Sequence, residues 1–238
     1  MSGILVCYSG GVESSICLLV AASAESRVAA ITFDYGQRNA REVEHAKLVC
    51  EFLGVPHMSM RVGLPDVMDS ALLSSCSESW IGAEAPLVDG RLQGIHPRCR
   101  DGYIPGRNIV FAHLAAMVAA SRGYDSVYLG VMAGGSGYPD TTSKSADAAA
   151  QSIRSMLLDE ESVRLHCPLQ GMNKGEVVRF ALEEFPCTAE SVLLRSYTCH
   201  NNVEPPGCGT CLTCEDRIRA FRSSGSARLE ASVRGFKP

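Results

Sequence analysis

The apolar residues in the first part of the chain alternate between continuous runs and helical spacing. Residues 3–8 and 28–33 are unbroken apolar runs with β-branched members, which is typical of strands buried on both faces. Residues 12–20 and 41–53 repeat apolar side chains along one helix face, and Gly54 is expected to end the second helix. This alternation predicts an α/β fold, in which helices cover a parallel sheet and the crossovers are right-handed.

The rest of the chain continues this alternation after one irregular segment. Residues 64–101 mix Ser, Gly and Pro with isolated apolar positions and contain the only tryptophan, Trp80, so we interpret them as an excursion from the sheet and a candidate lid. Strands are predicted at 57–62, 126–131 and 163–167, and helices at 109–122, 145–158, 174–185 and 215–221. We expect a Rossmann-like, doubly wound domain over residues 1–190, a small unit over 191–222 and a flexible tail over 223–238.

Composition and charge exclude several classes of protein. The chain has 238 residues, of which 46% are hydrophobic and 20% charged, so it can bury a sizeable core. Its net charge of -4 lacks the basic excess of a general nucleic-acid binder, and we expect no direct nucleic-acid binding. The nearly uncharged run at 109–121 is shorter than the ~18 residues of a membrane span. The start of the chain lacks a signal-peptide pattern, so the expectation is a soluble, cytoplasmic protein.

Four of the eleven cysteines lie within sixteen residues near the C-terminus. Two overlapping Cys-x-x-Cys steps and a loop of eight residues let four thiolates close a tetrahedral zinc shell without an open position. An iron–sulfur cluster or a redox pair is the alternative. The odd number of cysteines excludes full disulfide pairing within the chain. The predicted ligands of a structural zinc ion are Cys199, Cys208, Cys211 and Cys214.

A glycine-rich turn joins the first predicted strand to the first predicted helix. Ligands of open α/β sheets bind at this position, because glycines let the backbone come close and a helix start offers unpaired N–H groups. The turn lacks the Walker pattern and Gly-x-Gly-x-x-Gly, and an ordinary turn with Ser9 as N-cap is the alternative. The candidate phosphate-binding residues are Ser9, Gly10, Gly11, Val12, Glu13, Ser14 and Ser15.

This heptad resembles the pyrophosphate loop, Ser-Gly-Gly-x-Asp-Ser, of the N-type ATP pyrophosphatases. Within that superfamily, residues 3–221 resemble the 7-cyano-7-deazaguanine synthase (QueC) family through several motifs in the same order. These are TFDYGQR at 32–38, YIPGRN at 103–108, SGYPD at 136–140, residues 167–169 followed by Lys174, and the cysteine cluster. The resemblance implies an ATP pyrophosphatase-type fold with a C-terminal zinc knuckle and helix, and family members are commonly homodimers.

The resemblance also implies a reaction. In a QueC-like enzyme the carboxylate of 7-carboxy-7-deazaguanine attacks the α phosphate of ATP, while the turn holds the β and γ phosphates with a bridging Mg²⁺. Ammonia then displaces AMP to give an amide, and a second ATP-dependent activation dehydrates the amide to the nitrile. The implied cofactors are therefore ATP, Mg²⁺ and Zn²⁺.

Polar residues beside other predicted elements are further candidates. Asp34, Gln37 and Arg38 follow the second strand, where a solvated loop is the alternative and the resemblance favours contact with nucleotide or substrate. Arg107 and Asn108 begin an apolar helix. A cation at a helix N-terminus is unfavourable without an anionic partner, so we expect a phosphate or a carboxylate near Arg107.

Asp140 and Lys174 complete the predicted catalytic set with Arg107. Asp140 ends a turn after the fourth strand, and a role near Mg²⁺ or substrate is weighed against simple turn formation. Lys174 follows Asn173, a candidate helix cap, and opposes the helix dipole; a solvated lysine is the alternative. His113, within an apolar helix, is interpreted as a core histidine with satisfied hydrogen bonds.

Three departures from the family pattern leave the acceptor open. Glu13 stands where the family has Asp, the loop at 130–136 is one residue shorter and lacks an aspartate, and Thr-Thr-Ser-Lys-Ser follows Asp140. These changes bring in a second alternative, a QueC-like paralogue of bacterial antiphage (type IV CBASS) systems, which joins the deazaguanine carboxylate to a protein amine. A non-catalytic nucleotide-binding module is the third alternative, and the intact glycine turn argues against it.

Overall fold

The sheet of the computed structural model has five strands in the order β3-β2-β1-β4-β5, and neighbouring strands pair in parallel. The structure describes residues 2–25, 27–65, 70, 72–73, 104–132, 138–158 and 162–236. In this part of the chain the strands are β1 Ile4–Cys7, β2 Val28–Asp34, β3 His57–Arg61, β4 Ser126–Leu129 and β5 Arg164–His166. The order reverses at β1, between β2 and β4, so the predicted Rossmann-like, doubly wound α/β fold is confirmed.

Eight α-helices flank the sheet in the described residues, and every predicted helix is among them. They are α1 Val12–Ala24, α2 Arg41–Leu53, α3 Arg107–Arg122, α4 Ser143–Met156, α5 Lys174–Glu184, α6 Ala189–Arg195, α7 Leu212–Arg222 and α8 Ala227–Ser232. The helix α6 was not predicted, because seven residues are too few for a clear periodicity. None of the helices described is long and apolar enough to cross a membrane.

Two apolar layers cover the two faces of the sheet. On one face α1 lies between the sheet and the helices α5 and α6, so Cys17 and Leu18 are completely buried. On the other face α3 and α4 pack, and alanines such as Ala115 let α3 approach the sheet closely. These two layers explain the continuous apolar run of β1, because Leu5 and Val6 point to opposite faces and both are fully buried.

Two glycines make turns that other residues would strain. Gly54 ends α2 with a φ of 66°, which confirms its predicted role. Gly10 has a φ of 87°, and a Cβ atom there would lie 2.6 Å from the backbone oxygen of Glu42. The turn after β1 therefore packs directly against the first turn of α2, and this contact requires glycine.

The C-terminal segment, which is predicted to be a flexible tail, contains a short helix in its described residues. Ser226 begins α8, and its Oγ accepts a hydrogen bond from Leu229 N at 3.2 Å. Leu229 and Val233 are buried in the layer that also contains α6 and α7. A few apolar residues in a short polar stretch carry little periodicity, so burial of this helix becomes visible only in the tertiary structure.

Two predictions about the organisation of the chain stay open. Most of the excursion at 64–101 lies outside the described residues, so its interpretation as a lid stays a prediction. At its described edge, Leu72 and Leu73 are buried, and Leu73 forms an antiparallel bridge with Gln37. The domain boundary at residue 190 also stays a prediction, although residues from both sides of it share one core layer.

We expect Leu229→Ala to lower the free energy of unfolding by about 2 to 5 kcal/mol, because it leaves a cavity at a fully buried position. Leu158→Ala is the control, since Leu158 is fully exposed and its truncation should change stability by less than about 0.5 kcal/mol. Urea unfolding followed by circular dichroism measures both variants. Equally small effects would show that α8 does not pack against the core in solution.

Candidate functional site

The turn after β1 forms the rim of the site. Gly11 is the N-cap of α1 and no side chain caps this helix, so its first N–H groups lack intrahelical partners. Ser14 Oγ donates to Gly11 O at 3.2 Å and lies 3.1 Å from Ser9 Oγ. The alternative of a helix capped by Ser9 is therefore wrong, and the N–H groups at the start of α1 can bind an anion, with two hydrogen-bonded serine hydroxyls beside them.

The side chains of the predicted phosphate-binding residues divide into two groups. Ser9, Glu13 and Ser14 line a cavity of about 770 Å³, here called the outer cavity, at the carboxyl edge of the sheet. Val12 and Ser15 are completely buried instead, and the Ser15 hydroxyl is 3.0 Å from a tyrosine hydroxyl beneath the turn. The first group can contact a ligand directly, whereas the second supports the turn from below.

Glu13 and Lys174 form an ion pair between the starts of α1 and α5. Lys174 Nζ lies 3.0 Å from Glu13 Oε1, and the two side chains are only 15% and 20% exposed. Asn173 caps α5 as predicted, because its side chain accepts a hydrogen bond from Glu176 N at 3.0 Å. The ion pair offsets the unfavourable position of a lysine at a helix N-terminus.

Arg107 lies beside acidic residues at the start of α3. Although burial lowers the pKa of Arg107, the neighbouring Tyr35, Glu42 and Asp140 raise it overall. Arg107 Nη1 donates to Tyr35 Oη at 2.8 Å, and Asp140 Oδ2 caps α3 by accepting from Asn108 N at 3.1 Å. Asp140 Oδ1 is buried and has no hydrogen-bond partner among the described residues. The anion expected near Arg107 is thus supplied in part by the protein itself.

A second, smaller pocket lies next to the outer cavity. It measures about 160 Å³ and is bounded by the ends of β1, β2 and β4 and by the starts of α2 and α3; we call it the inner pocket. The two spaces share Ser9, Ser14, Arg107 and Asn108 among their described lining residues. The inner pocket adds the side chains of Phe33, Tyr35, Gln37, Asn39, Glu42 and Phe111.

The predicted residues after β2 mainly hold a turn. The Gln37 side chain accepts a backbone hydrogen bond at 2.8 Å and donates one at 3.4 Å within this turn. Asp34 lies 3.6 Å from the exposed Arg61, and Arg38 N donates to Leu72 O at 2.7 Å. Gln37 is among the described lining residues of the inner pocket, whereas Asp34 and Arg38 line neither space. The structure favours local roles for these two residues.

Sequence reasoning missed two titratable residues of the site. Burial raises the pKa of Glu42 to about 8, while Arg107 and Asn39 lower it and Glu13 raises it further. Burial lowers the pKa of His200, which lines both spaces, to about 4. An acidic residue in a first helical turn is ordinary, so Glu42 carries no signal in the sequence. His200 has only its position beside a cysteine ligand as a signal.

The four predicted metal ligands come together in the structure. Their Sγ atoms all lie within 4.8 Å of one another, and three of the four cysteines are buried. Cys208 Sγ lies 4.0 Å from Cys214 Sγ and accepts a hydrogen bond from Cys211 N at 3.3 Å. Sulfur atoms about 3.8 Å apart are what a tetrahedral ion with Zn–S bonds of about 2.3 Å requires. The cluster therefore fits a four-coordinate metal ion.

The cysteine cluster is joined to the turn after β1. Tyr197 N donates to Gly10 O at 2.8 Å, and Tyr197 lies two residues before Cys199. Thr213, which lies between Cys211 and Cys214, donates through Oγ1 to Thr198 O. A metal ion at the cysteines would therefore hold the segment that supports the turn.

His113 has the satisfied hydrogen bonds that were expected of it, although it is half-buried and not part of the core. Its Nδ1 lies 2.8 Å from Ile109 O, and its Nε2 lies 2.9 Å from Ser152 Oγ. Both ring nitrogens are thus used within the helical layer of α3 and α4, and no chemistry needs to be assigned to this residue.

Comparison with known proteins gives a consistent family match. A family model described as Queuosine biosynthesis protein QueC matches residues 3–225. A 7-cyano-7-deazaguanine synthase from Gloeobacter violaceus is 34% identical over an alignment of 228 positions, and the alignment covers 94% of each chain.

Similarity to solved structures is much lower. A predicted subunit of tRNA methyltransferase from Methanocaldococcus jannaschii is similar with a TM-score of 0.47 and 14% identity, over 77% of this chain and 75% of that chain. The U34-tRNA thiolase NcsA from Methanococcus maripaludis is similar with a TM-score of 0.42 and 14% identity, over 98% of this chain and 70% of that chain.

Cys211→Ser should abolish stoichiometric metal binding, because a four-thiolate shell loses one of its ligands. Plasma mass spectrometry of the purified protein measures bound zinc and iron together. Cys187→Ser is the control, since Cys187 is an exposed cysteine outside the cluster and should leave the metal content unchanged. Metal retained at the control level in Cys211→Ser would contradict the assignment of these ligands.

The raised pKa of Glu42 predicts a pH-dependent cost to stability. Because the folded protein holds this proton up to a pKa of about 8 and the unfolded chain releases it near 4.5, stability falls as the pH rises through this window. Glu42→Gln removes this contribution, so the variant should gain stability relative to the parent as the pH rises from 5 to 9. Urea unfolding at both pH values measures this gain, with the exposed neighbour variant Glu44→Gln as the control. A difference in stability between Glu42→Gln and the parent that does not change with pH would contradict this prediction.

Proposed function

The chain belongs to the QueC family, and from this premise we propose that it activates the carboxylate of 7-carboxy-7-deazaguanine with ATP and transfers it to an amine. With ammonia as the amine, the product is 7-cyano-7-deazaguanine. The observation that carries this proposal is the family match over residues 3–225. An anion-accepting turn, a lysine and an arginine around one cavity support it. The corresponding enzyme class is an ATP-dependent ligase that forms a C–N bond.

The reaction divides into an activation and a transfer. A carboxylate oxygen of the substrate attacks the α phosphorus of ATP, and pyrophosphate leaves with the bonding electron pair. The amine nitrogen then attacks the acyl carbon, AMP leaves, the nitrogen loses a proton, and an amide forms. In the nitrile-forming sequence, the amide oxygen is adenylated by a second ATP and departs with AMP as the nitrogen loses its remaining protons. Alignment and charge neutralisation are the protein's main contributions.

The residues around the outer cavity have complementary roles in this proposal. The N–H groups at the start of α1, with the Ser9 and Ser14 hydroxyls, would bind the β and γ phosphates. Lys174 would exchange Glu13 for a phosphate oxygen, and Arg107 would neutralise charge at the α phosphate. Asn108 lies beside them in the wall shared with the inner pocket.

Two metal ions belong to the proposal. Mg²⁺ supplies charge neutralisation at the triphosphate when bound, and Asp140, although it lines neither cavity in this structure, has an unpartnered carboxylate oxygen of the kind that Mg²⁺ prefers. Zn²⁺ is the ion that the four cysteines would hold, because their sulfurs are spaced for a closed tetrahedral shell. We assign this zinc ion a structural role. The hydrogen bond from Tyr197 N to Gly10 O connects the segment that leads to Cys199 to the turn after β1, so the ion would hold this support in place.

The acceptor is the least determined part of the proposal, and we favour ammonia over a protein amine. Thr142 Oγ1 caps α4 by accepting a hydrogen bond from Ser145 N at 3.2 Å, so helix capping explains part of the Thr-Thr-Ser-Lys-Ser departure. The shortened loop at 130–136 lies mostly outside the described residues. A homodimer also stays a prediction, for which the exposed Val110 and Met117 of α3 offer apolar surface.

The test is incubation of the purified protein with ATP, Mg²⁺, 7-carboxy-7-deazaguanine and ammonium, with products identified by mass spectrometry. We expect substrate-dependent AMP and pyrophosphate, and a product with the mass of the nitrile. An amide as the end product would limit the protein to the first activation. A mass adduct on an added protein, without nitrile, would select the conjugating paralogue. No substrate-dependent AMP would favour the non-catalytic module.

In the same assay, Lys174→Met should lower kcat/KM for ATP by about 100-fold, because a cation that stabilises the transferring phosphates is lost. Lys144→Met is the matched control, since Lys144 lies in the first turn of α4 but is exposed. Thermal melts of both variants check that they fold. An unchanged kcat/KM in folded Lys174→Met would remove this lysine from the phosphate site.

A further inference from the structure

Arg217 is a buried cation in the middle of α7. The residue is only 8% exposed, and among the described residues no acidic side chain forms a salt bridge with it. Its guanidinium lies over the Phe221 ring, 4.4 Å from the ring centroid. Burying a charge carries a free-energy cost that an apolar side chain of similar size would avoid. The presence of arginine here therefore indicates a requirement for position rather than for stability.

The Arg217 guanidinium binds the C-terminal end of α6. Its Nη1 donates to Ser196 Oγ at 2.7 Å, and its Nη2 donates to Leu193 O at 2.8 Å. Ser196 Oγ in turn donates to Leu193 O at 2.7 Å, so one planar fork holds two groups that also bind each other. A positive charge suits this end of a helix, where carbonyl groups lack intrahelical partners. Arg217 thus fixes Ser196 relative to α7 by a two-armed contact that a lysine cannot reproduce.

The segment held by Arg217 also supports the turn after β1. Tyr197 follows Ser196 directly, and its N–H donates to Gly10 O at 2.8 Å. Tyr197 is only 3% exposed, and its ring stacks on His45 of α2 with centroids 4.9 Å apart. The aromatic stack holds the side chain of Tyr197 against α2, whereas Arg217 holds the residue before it.

The hydrogen bond to Gly10 O determines the orientation of one peptide group. Gly10 has a φ of 87° and Gly11 a φ of -75°, and because glycine adopts both signs of φ, the peptide between them could rotate at little steric cost. In a trans peptide the N–H points away from the C=O. Holding Gly10 O toward Tyr197 therefore directs Gly11 N–H to the opposite side. On that side Gly11 N lies 3.4 Å from Ser9 Oγ, and Ser9 lines the outer cavity.

We propose that Arg217 is a positioning residue for ATP, which keeps Gly11 N–H directed at the β and γ phosphates. It acts through Ser196 and Tyr197, and it is not among the described lining residues of the outer cavity or the inner pocket. This inference rests on the proposed function. It assigns a role beside that of the metal ion, because Arg217 lies one helical turn beyond Cys214 and joins α7 to α6 by contacts of its own.

The experiment compares Arg217→Met with the parent protein and with Arg222→Met. Arg222 is the matched control, because it lies in the same helix and also donates to a backbone oxygen, but this oxygen is Phe236 O in the C-terminal segment, at 2.6 Å. Titration calorimetry without the deazaguanine measures the Kd of ATP, inorganic pyrophosphate and AMP. We expect Arg217→Met to bind ATP and pyrophosphate about 10-fold or more weakly, because an N–H contact to a charged group is lost. AMP lacks the β and γ phosphates, so its Kd should change by less than about twofold, and Arg222→Met should match the parent.

Ser196→Ala tests the same contact with a smaller change to the core. It removes the hydroxyl that accepts from Arg217 Nη1, so it should also weaken the binding of pyrophosphate. The double variant should bind pyrophosphate no more weakly than Arg217→Met alone, because both substitutions interrupt one connection. Thermal melts check that each variant folds, and plasma mass spectrometry should find the metal content of the parent in all of them.

Unchanged pyrophosphate binding in folded Arg217→Met or in Ser196→Ala would overturn this inference, as would an equal loss of AMP binding. A loss of bound metal together with ATP binding would also overturn it, because Arg217 would then act only on the cysteine cluster. Nitrile formation by the parent in any of these cases would leave the proposed function intact. A parent protein that bound neither ATP nor pyrophosphate would instead remove the proposed function and this inference together.

Discussion

The close contact between Gly10 and the first turn of α2 is the constraint on which the rest of the site depends. Without a side chain at Gly10, the backbone after β1 packs against Glu42 O, and the Gly10 carbonyl accepts from Tyr197 N. One residue thus joins the anion-accepting turn, the helix that carries Glu42 and the segment that leads to Cys199. Any larger residue would separate these three parts, because a Cβ atom would lie 2.6 Å from a backbone oxygen.

The two cations of the site have acidic neighbours within the protein. Lys174 is paired with Glu13, and Arg107 is surrounded by Glu42, Asp140 and a tyrosine hydroxyl. Binding of an anionic ligand at this site is therefore an exchange of partners. Such an exchange avoids leaving a partly buried cation uncompensated before ATP arrives, which would be costly in this environment. Glu13 takes part directly in this arrangement.

The candidate site was only partly predictable from the sequence. Ser9, Ser14 and Lys174 follow from motif and position, since a glycine turn after a buried strand locates an anion site in a parallel sheet. The matching motifs also included Asp34 and Arg38, which the fold places in a local turn. Asp34 lies beside Arg61 at an exposed edge of the sheet, and Arg38 N donates to the backbone of Leu72. A motif marks a segment of chain, but it does not determine which of its side chains face a ligand.

Elements with a local signal could be predicted from the amino-acid sequence alone. Continuous apolar runs specified β1 and β2, helical spacing specified the longer helices, and cysteine spacing specified a four-thiolate cluster, because each depends on residues close together in the chain. The strand order around β1, the burial of α8 through Leu229, and the placement of Glu42 and Arg107 around one pocket emerge from the three-dimensional fold alone. These features arise from contacts between residues far apart in the chain, and their energies depend on burial and neighbouring charge that a linear pattern does not contain.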